Sequence, residues 1–167
     1  MAKLAINGGP SVREGKSWPH WPVRSDDERQ AVIDAVENSD WGGFPEPQPR
    51  AAELGRNFAA YQDAGHGICC TNGSISLEIA LRAAGVKAGD EGIVPATTWV
   101  ATAACAVYVN AVPVFVDVSP DNYCIDPDQV EAAITDRTRA IVPVHLGSSI
   151  ADLDRLTQIA EKHGLIL

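Results

Sequence analysis

From residue 66 onward, short apolar runs alternate with longer runs of helical spacing, and this alternation restricts the fold more than any single residue does. The apolar runs cover 66–70, 92–95, 112–117 and 140–144, and another opens at 165–167; the helical runs cover 75–84, 99–109, 127–134 and 153–163. Short apolar strands separated by helices imply a largely parallel sheet covered on both faces, because each crossover lays a helix on the sheet. The punctuation agrees. Asp126-Pro127 offers an N-cap followed by proline at the first helical position, Asp152 stands where it can cap the last helix, and Gly85 and Gly164 are placed to end helices. The fold class is therefore α/β.

Ahead of this unit lies a different pattern. A glycine- and proline-rich start leads to the cluster Trp18-Pro19-His20-Trp21-Pro22. Ser25 with Glu28 then forms a capping box, and Val32, Ile33 and Val36 continue at helical spacing. A loop over 40–49, with Trp41 beside Gly42 and Gly43, separates this helix from a second over 50–61, where Leu54 and Phe58 share one face. The division expected is a helical and loop extension over 1–63 and an α/β unit over 64–167, the latter incomplete at its C-terminus.

Composition narrows the partners. The chain has 167 residues and a formal net charge of −9, which argues against nucleic acid or an anionic membrane, since both favour a basic face. The most apolar stretch, 101–118, contains Asn110, Pro113 and Asp117 and so reads as a helix end, a turn and a strand rather than a membrane span. Residues 1–10 lack the apolar core and cleavage signal of a secretory peptide, which points to a cytoplasmic protein. Cys69, Cys70, Cys105 and Cys124 form no CxxC pair and read as buried small hydrophobes; no histidine stands at ligand spacing, so no metal is expected.

In a sheet of this kind, ligands sit beyond the carboxyl ends of the strands. Thr71-Asn72-Gly73-Ser74 follows the first run and opens a helix. Glycine admits close approach, Ser74 brings a hydroxyl, and the first helical N–H groups lack intrahelical partners at the positive end of the dipole. The same tetrapeptide is also ordinary turn and N-cap chemistry. Trp99 stands beyond the second run, where an aromatic can stack on a flat ring, and His145 stands beyond the fourth. A phosphorylated aromatic cofactor satisfies both the turn and the plate.

The run Thr71-Asn72-Gly73-Ser74 with Leu77-Glu78-Ile79-Ala80-Leu81, then Val94-Pro95-Ala96-Thr97-Thr98-Trp99, 113–118, 123–127 and Pro143-Val144-His145, resembles the DegT/DnrJ/EryC1/StrS family of pyridoxal-phosphate aminotransferases. The resemblance implies the fold type I, aspartate-aminotransferase-like large domain, pyridoxal 5'-phosphate as cofactor, and a homodimer. It implies that Ser74 and the backbone N–H groups of Gly73, Ser74 and Ile75 hold the cofactor phosphate and that Trp99 stacks on the pyridine ring. His145 is either a substrate or cofactor contact or a structural histidine, and Trp41 occupies a loop that approaches the substrate in relatives.

Transamination also requires a Schiff-base lysine and a carboxylate for the pyridine nitrogen. The lysines here are Lys3, Lys16, Lys87 and Lys162, and none matches the family's Schiff-base position, so no catalytic residue is assigned. The expectation is that these residues form the N-terminal part of a longer enzyme, or one piece completed by a complementary chain. The cluster at 18–22, Thr98-Trp99 and 123–127 are most similar to the branch that aminates keto-cyclitols or keto-sugars in secondary-metabolite biosynthesis, with glutamine or glutamate as amino donor. Alternatives within the family are a 3-amino-5-hydroxybenzoate synthase or a sugar dehydratase whose Schiff-base lysine is replaced by histidine. Outside it stand a non-catalytic module and an unrelated nucleotide-binding protein, the latter without GxGxxG or GxxxxGK[ST].

Overall fold

Three parallel strands, β1 (Glu91–Pro95), β2 (Val112–Val116) and β3 (Thr138–Ile141), hydrogen-bond in the order β2-β1-β3. The structure is a computed structural model and describes residues 3–39 and 41–167; Met1 and Ala2 of the N-terminal segment and Asp40 of the expected loop lie outside the described residues. Ile93 sits opposite Val114 on one side and Ile141 on the other. Past β3, Ile166 forms a parallel bridge to Ala140, its N–H donating to the Arg139 carbonyl and its carbonyl accepting from Ile141 N–H.

The helices α1 (Asp26–Glu37), α2 (Pro49–Tyr61), α3 (Gly73–Ala83), α4 (Ala101–Tyr108), α5 (Pro127–Ala132) and α6 (Leu153–His163) alternate with the strands from α3 onward. Two apolar clusters sandwich the sheet. Leu81, Cys105, Ala106, Val109 and Ala140 join α3 and α4 to one face. Val130, Leu156, Ile159 and Ala160 join α5 and α6 to the other, around Ile93, Ile125 and Ile141. Ile93, Val130 and Leu156 are fully buried, each removing apolar area from water at about 25 cal/mol per Å². The expected α/β class is thus present as a parallel sheet flanked by helices.

The caps are those the sequence marks. Ser25 accepts from Glu28 N–H while the Glu28 carboxylate accepts from Ser25 N–H. Asp126 caps α5 through Asp128 N–H, Asp152 caps α6 through Arg155 N–H, and Gly85 and Gly164 take positive φ of 77° and 66°. Gln48, whose side chain accepts from Ala51 N–H, caps α2 ahead of Pro49.

Two expectations are corrected. The run at 66–70 is not a strand; its Gly67 lies instead against Gly55 of α2, so closely that a Cβ on Gly67 would come 2.2 Å from the Gly55 carbonyl oxygen. Backbone contact with a helix replaces a ladder. Consequently Cys69 and Cys70 are exposed, and only Cys105 and Cys124 are the buried thiols expected. Several boundaries also shift: helix begins at Ala101 rather than 99, α5 ends at Ala132, and 165–167 contributes a single bridge rather than a strand.

By contact the chain divides into two units, Met1–Ile68 and Cys69–Leu167. In the first, Arg50 reaches Asp34 at 3.4 Å, and α2 buries Gly55 and Ala59 while Leu54 and Phe58 stay exposed. The second holds the sheet. Among the described residues no helix is long and apolar enough to cross a membrane.

Candidate functional site

Helix α3 runs back along the sheet. Its C-terminus is joined to β1 by the seven residues 84–90, and its eleven residues span roughly 16 Å, the length of a five-residue strand. A helix of that length leading into a parallel strand is expected to start near the strand's carboxyl end. Chain direction there defines a crevice: after β1 the polypeptide passes to α4 on one face, and after the adjacent β3 it passes to α6 on the other. Such a divergence between neighbouring strands is where open α/β sheets bind ligands.

Gly73 and Ser74 are the first two residues of α3. A Cβ at Gly73 would meet nothing within 4 Å, so the space beside Gly73 is open, and Ser74 is half-buried. Asn72 is the N-cap, and its carboxamide oxygen accepts from Ile75 N–H at 3.0 Å. The Ile75 donor is therefore engaged by the cap, while the N–H groups of Gly73 and Ser74 stand at helix positions that lack i−4 partners.

Trp99 is 77% exposed. Large aromatics bury most of their surface when they serve a core, so an indole presented between β1 and α4 has a face open for stacking. Its backbone is well held: Trp99 carbonyl accepts from Thr102 N–H at 3.0 Å, and Thr98 and Thr102 share a hydroxyl hydrogen bond of 3.0 Å.

His145 follows β3. Its Nδ1 accepts from Ala151 N–H at 3.1 Å, which leaves the neutral ring's proton on Nε2. Trp99 and His145 follow β1 and β3, parallel neighbours in the sheet, and Gly73, Ser74 and Ile75 open α3 of the same unit. Trp41 belongs to the first unit, exposed among bends.

The groups whose acidity the fold shifts stand elsewhere. Glu91, at the start of β1, is held below the usual glutamate range first by the Thr135 hydroxyl and then by Arg137, against the opposing effect of burial. Glu131 is lowered by Lys162 and His163, Arg155 is raised by Asp128, and burial pushes the Cys105 thiol up. No cluster of potential metal ligands occurs among the described residues.

The sequence profile of the DegT/DnrJ/EryC1/StrS aminotransferase family matches residues 23–167. The chain belongs to this family. Among family relatives, L-glutamine:2-deoxy-scyllo-inosose aminotransferase of Streptomyces kanamyceticus is 45% identical over 169 residues, covering 99% of this chain and 39% of that protein. The crystal structure of 3-amino-5-hydroxybenzoic acid (AHBA) synthase superposes with a TM-score of 0.82 at 37% identity over 90% of this chain and 39% of that one. NtdA from Bacillus subtilis with bound cofactor PMP gives 0.78 at 29% identity over 94% and 36%. The chain therefore spans about two fifths of the length of the relatives it matches.

Two features of this family member escape a motif-based reading. Asn72 acts as a cap rather than a bystander, which the spacing Asn72 to Ile75 already encodes. Thr102, 5% exposed beneath the turn that carries Trp99, is signalled only by its position four residues after Thr98.

Proposed function

We propose that this chain forms the phosphate anchor and ring plate of a pyridoxal-phosphate aminotransferase that aminates a keto-cyclitol, with glutamine as amino donor. The observation that supports the reading is that one α/β unit carries both a helix N-terminus at Gly73-Ser74 and an exposed indole, Trp99, just past the carboxyl end of β1. These residues fit the cofactor: Gly73 has open space where a Cβ would stand, the N–H groups favour a dianion, and the plate suits a flat ring. The relatives' names supply the substrate class.

When bound, pyridoxal phosphate supplies an electron sink that makes amino transfer between an amino acid and a ketone accessible. Gly73 N–H, Ser74 N–H and the Ser74 hydroxyl bind the phosphate and fix the ring's position along the crevice. Trp99 covers one ring face and excludes water from it. His145, its Nδ1 held by Ala151 N–H, presents Nε2–H as a donor toward a substrate or cofactor oxygen. Trp41 is assigned to the substrate side of the same enzyme.

Neither lysine of the second unit lies at the site end of the sheet. Lys87 precedes β1 and Lys162 closes α6, paired with Glu131 at 2.7 Å. The amine that carries the cofactor covalently is accordingly assigned to residues outside this sequence, and the working enzyme is assigned as a cytoplasmic homodimer.

The test is amino transfer by the natively purified enzyme that contains this chain together with the residues that supply the amine, given pyridoxal phosphate, glutamine and 2-deoxy-scyllo-inosose and read by mass spectrometry. An aminated cyclitol supports the reading. Amination of a nucleotide-linked keto-sugar but no keto-cyclitol would overturn the substrate class, and no amination of any ketone would overturn the activity.

A further inference from the structure

Helix α4 begins without an ordinary cap: Val100 occupies the N-cap position and offers no side-chain hydrogen bond. The start of the helix is organised by Thr102 instead. Its N–H donates to the carbonyl of Trp99 at 3.0 Å, its hydroxyl pairs with that of Thr98 at 3.0 Å, and its carbonyl accepts from the Cys105 thiol at 3.0 Å. Thr102 is buried while Trp99, three residues before it, projects into solvent. The residue just before the indole and the carbonyl of the indole residue itself are therefore both tied to one buried residue, the first through its hydroxyl and the second through its backbone N–H, and its β-branched side chain is stiff about χ1.

Ala103 and Ala104 N–H hold the Val100 carbonyl on the far side of the indole residue, whereas the side-chain hydrogen bond of this turn is the one between Thr98 and Thr102. We infer that Thr102 is a positioning residue that fixes the Trp99 ring at the carboxyl end of β1, so that the plate is in place before a ring ligand arrives. The inference rests on the assignment of Trp99 as that plate. Its energetic logic is preorganisation: a ring held before binding avoids the ordering cost at binding. The hydroxyl bond matters because both partners are sheltered, and a buried hydroxyl left without a partner is costly.

Trp18, Trp21 and Trp41 replaced by phenylalanine leave Trp99 as the only indole, whose fluorescence anisotropy reports ring motion with no cofactor present. In that background, Thr102→Val keeps the shape and removes the hydroxyl, Thr102→Ser keeps the hydroxyl, and Thr98→Val breaks the same bond from the half-buried side. The expected result is lower Trp99 anisotropy in Thr102→Val and Thr98→Val, recovery in Thr102→Ser, and pyridoxal-phosphate binding weakened roughly two- to tenfold in the two valine variants, the net worth of one hydrogen bond.

Unchanged anisotropy in both valine variants overturns the inference, as does a Thr102→Ser variant as mobile as Thr102→Val, since methyl packing would then be the cause. Thr98→Val carries the test where circular dichroism shows Thr102→Val unfolded. A parent protein that fails to bind pyridoxal phosphate removes the cofactor reading alone, and the anisotropy comparison still decides the role of Thr102.

Discussion

Gly55 and Gly67 meet backbone to backbone: a Cβ added to Gly55 would lie 2.5 Å from the Gly67 carbonyl oxygen, and one added to Gly67 would lie 2.2 Å from that of Gly55. The obstructing atoms are main-chain, so a side chain cannot be accommodated by rotating a neighbour. Gly67→Ala is expected to destabilise the first unit by about 1–3 kcal/mol, the range for overpacking. Gly65→Ala, where a Cβ meets nothing within 4 Å, serves as the matched control. Urea unfolding of the two variants checks this, with the midpoint falling only for Gly67→Ala.

Acid sensitivity is expected to centre on Glu91. The Thr135 hydroxyl at 2.5 Å and the Arg137 guanidinium favour its carboxylate in the fold, so its folded pKa lies below its unfolded value. The unfolded chain then binds the proton more readily, and the stabilisation is complete above the unfolded value and lost as pH falls through the folded one. Glu91→Gln removes this contribution. Melting temperatures measured from neutral to acid pH are expected to fall less steeply for the variant, with the wild-type advantage greatest at neutral pH.

How far the sequence reveals this protein follows from range of interaction. The capping box at Ser25 and Glu28, the caps at Asp126 and Asp152, and the glycine stops at Gly85 and Gly164 are set by neighbours within four residues, and all are present. Helix α3, β1 and Trp99 are ordered along the chain as the strand-helix alternation requires. The run at 66–70 has the composition of a strand, but strand formation depends on a partner distant in sequence; among the described residues none pairs with it, and Gly67 lies against Gly55. The exposure of Cys69 and Cys70 follows from the same cause. Thr102 was invisible because its role depends on burial, which a threonine in an alanine-rich helix does not announce.

The α3 cap is testable by itself. Asn72→Ala removes the acceptor for Ile75 N–H and is expected to cost about 1 kcal/mol, as for other N-cap truncations. Asn72→Asp retains the acceptor and adds a negative charge beside the helix N-terminus, which stabilises the helix but repels a phosphate. Thermal melts with and without pyridoxal phosphate separate the two effects: Asn72→Asp is expected to melt at or slightly above wild type without ligand and to lose ligand-induced stabilisation.

His145 anchors the loop that follows β3. Ala151 is 2% exposed and its N–H donates to Nδ1, so His145→Ala leaves a buried donor without a partner at a cost of about 1–3 kcal/mol. Hydrogen exchange at the Ala151 amide is expected to accelerate in that variant, while Ile93 and Leu156 amides keep their protection.

The most direct test of the account is equilibrium binding of pyridoxal phosphate compared with pyridoxal, for wild type, Ser74→Ala and Trp99→Ala. The account predicts saturable binding of pyridoxal phosphate, much weaker binding of pyridoxal, and reduced affinity in both variants, with Ser74→Ala narrowing the preference for the phosphorylated form. Equal binding of the two compounds, or affinity indifferent to both substitutions, would contradict the assignment of the α3 N-terminus and Trp99 as the cofactor site.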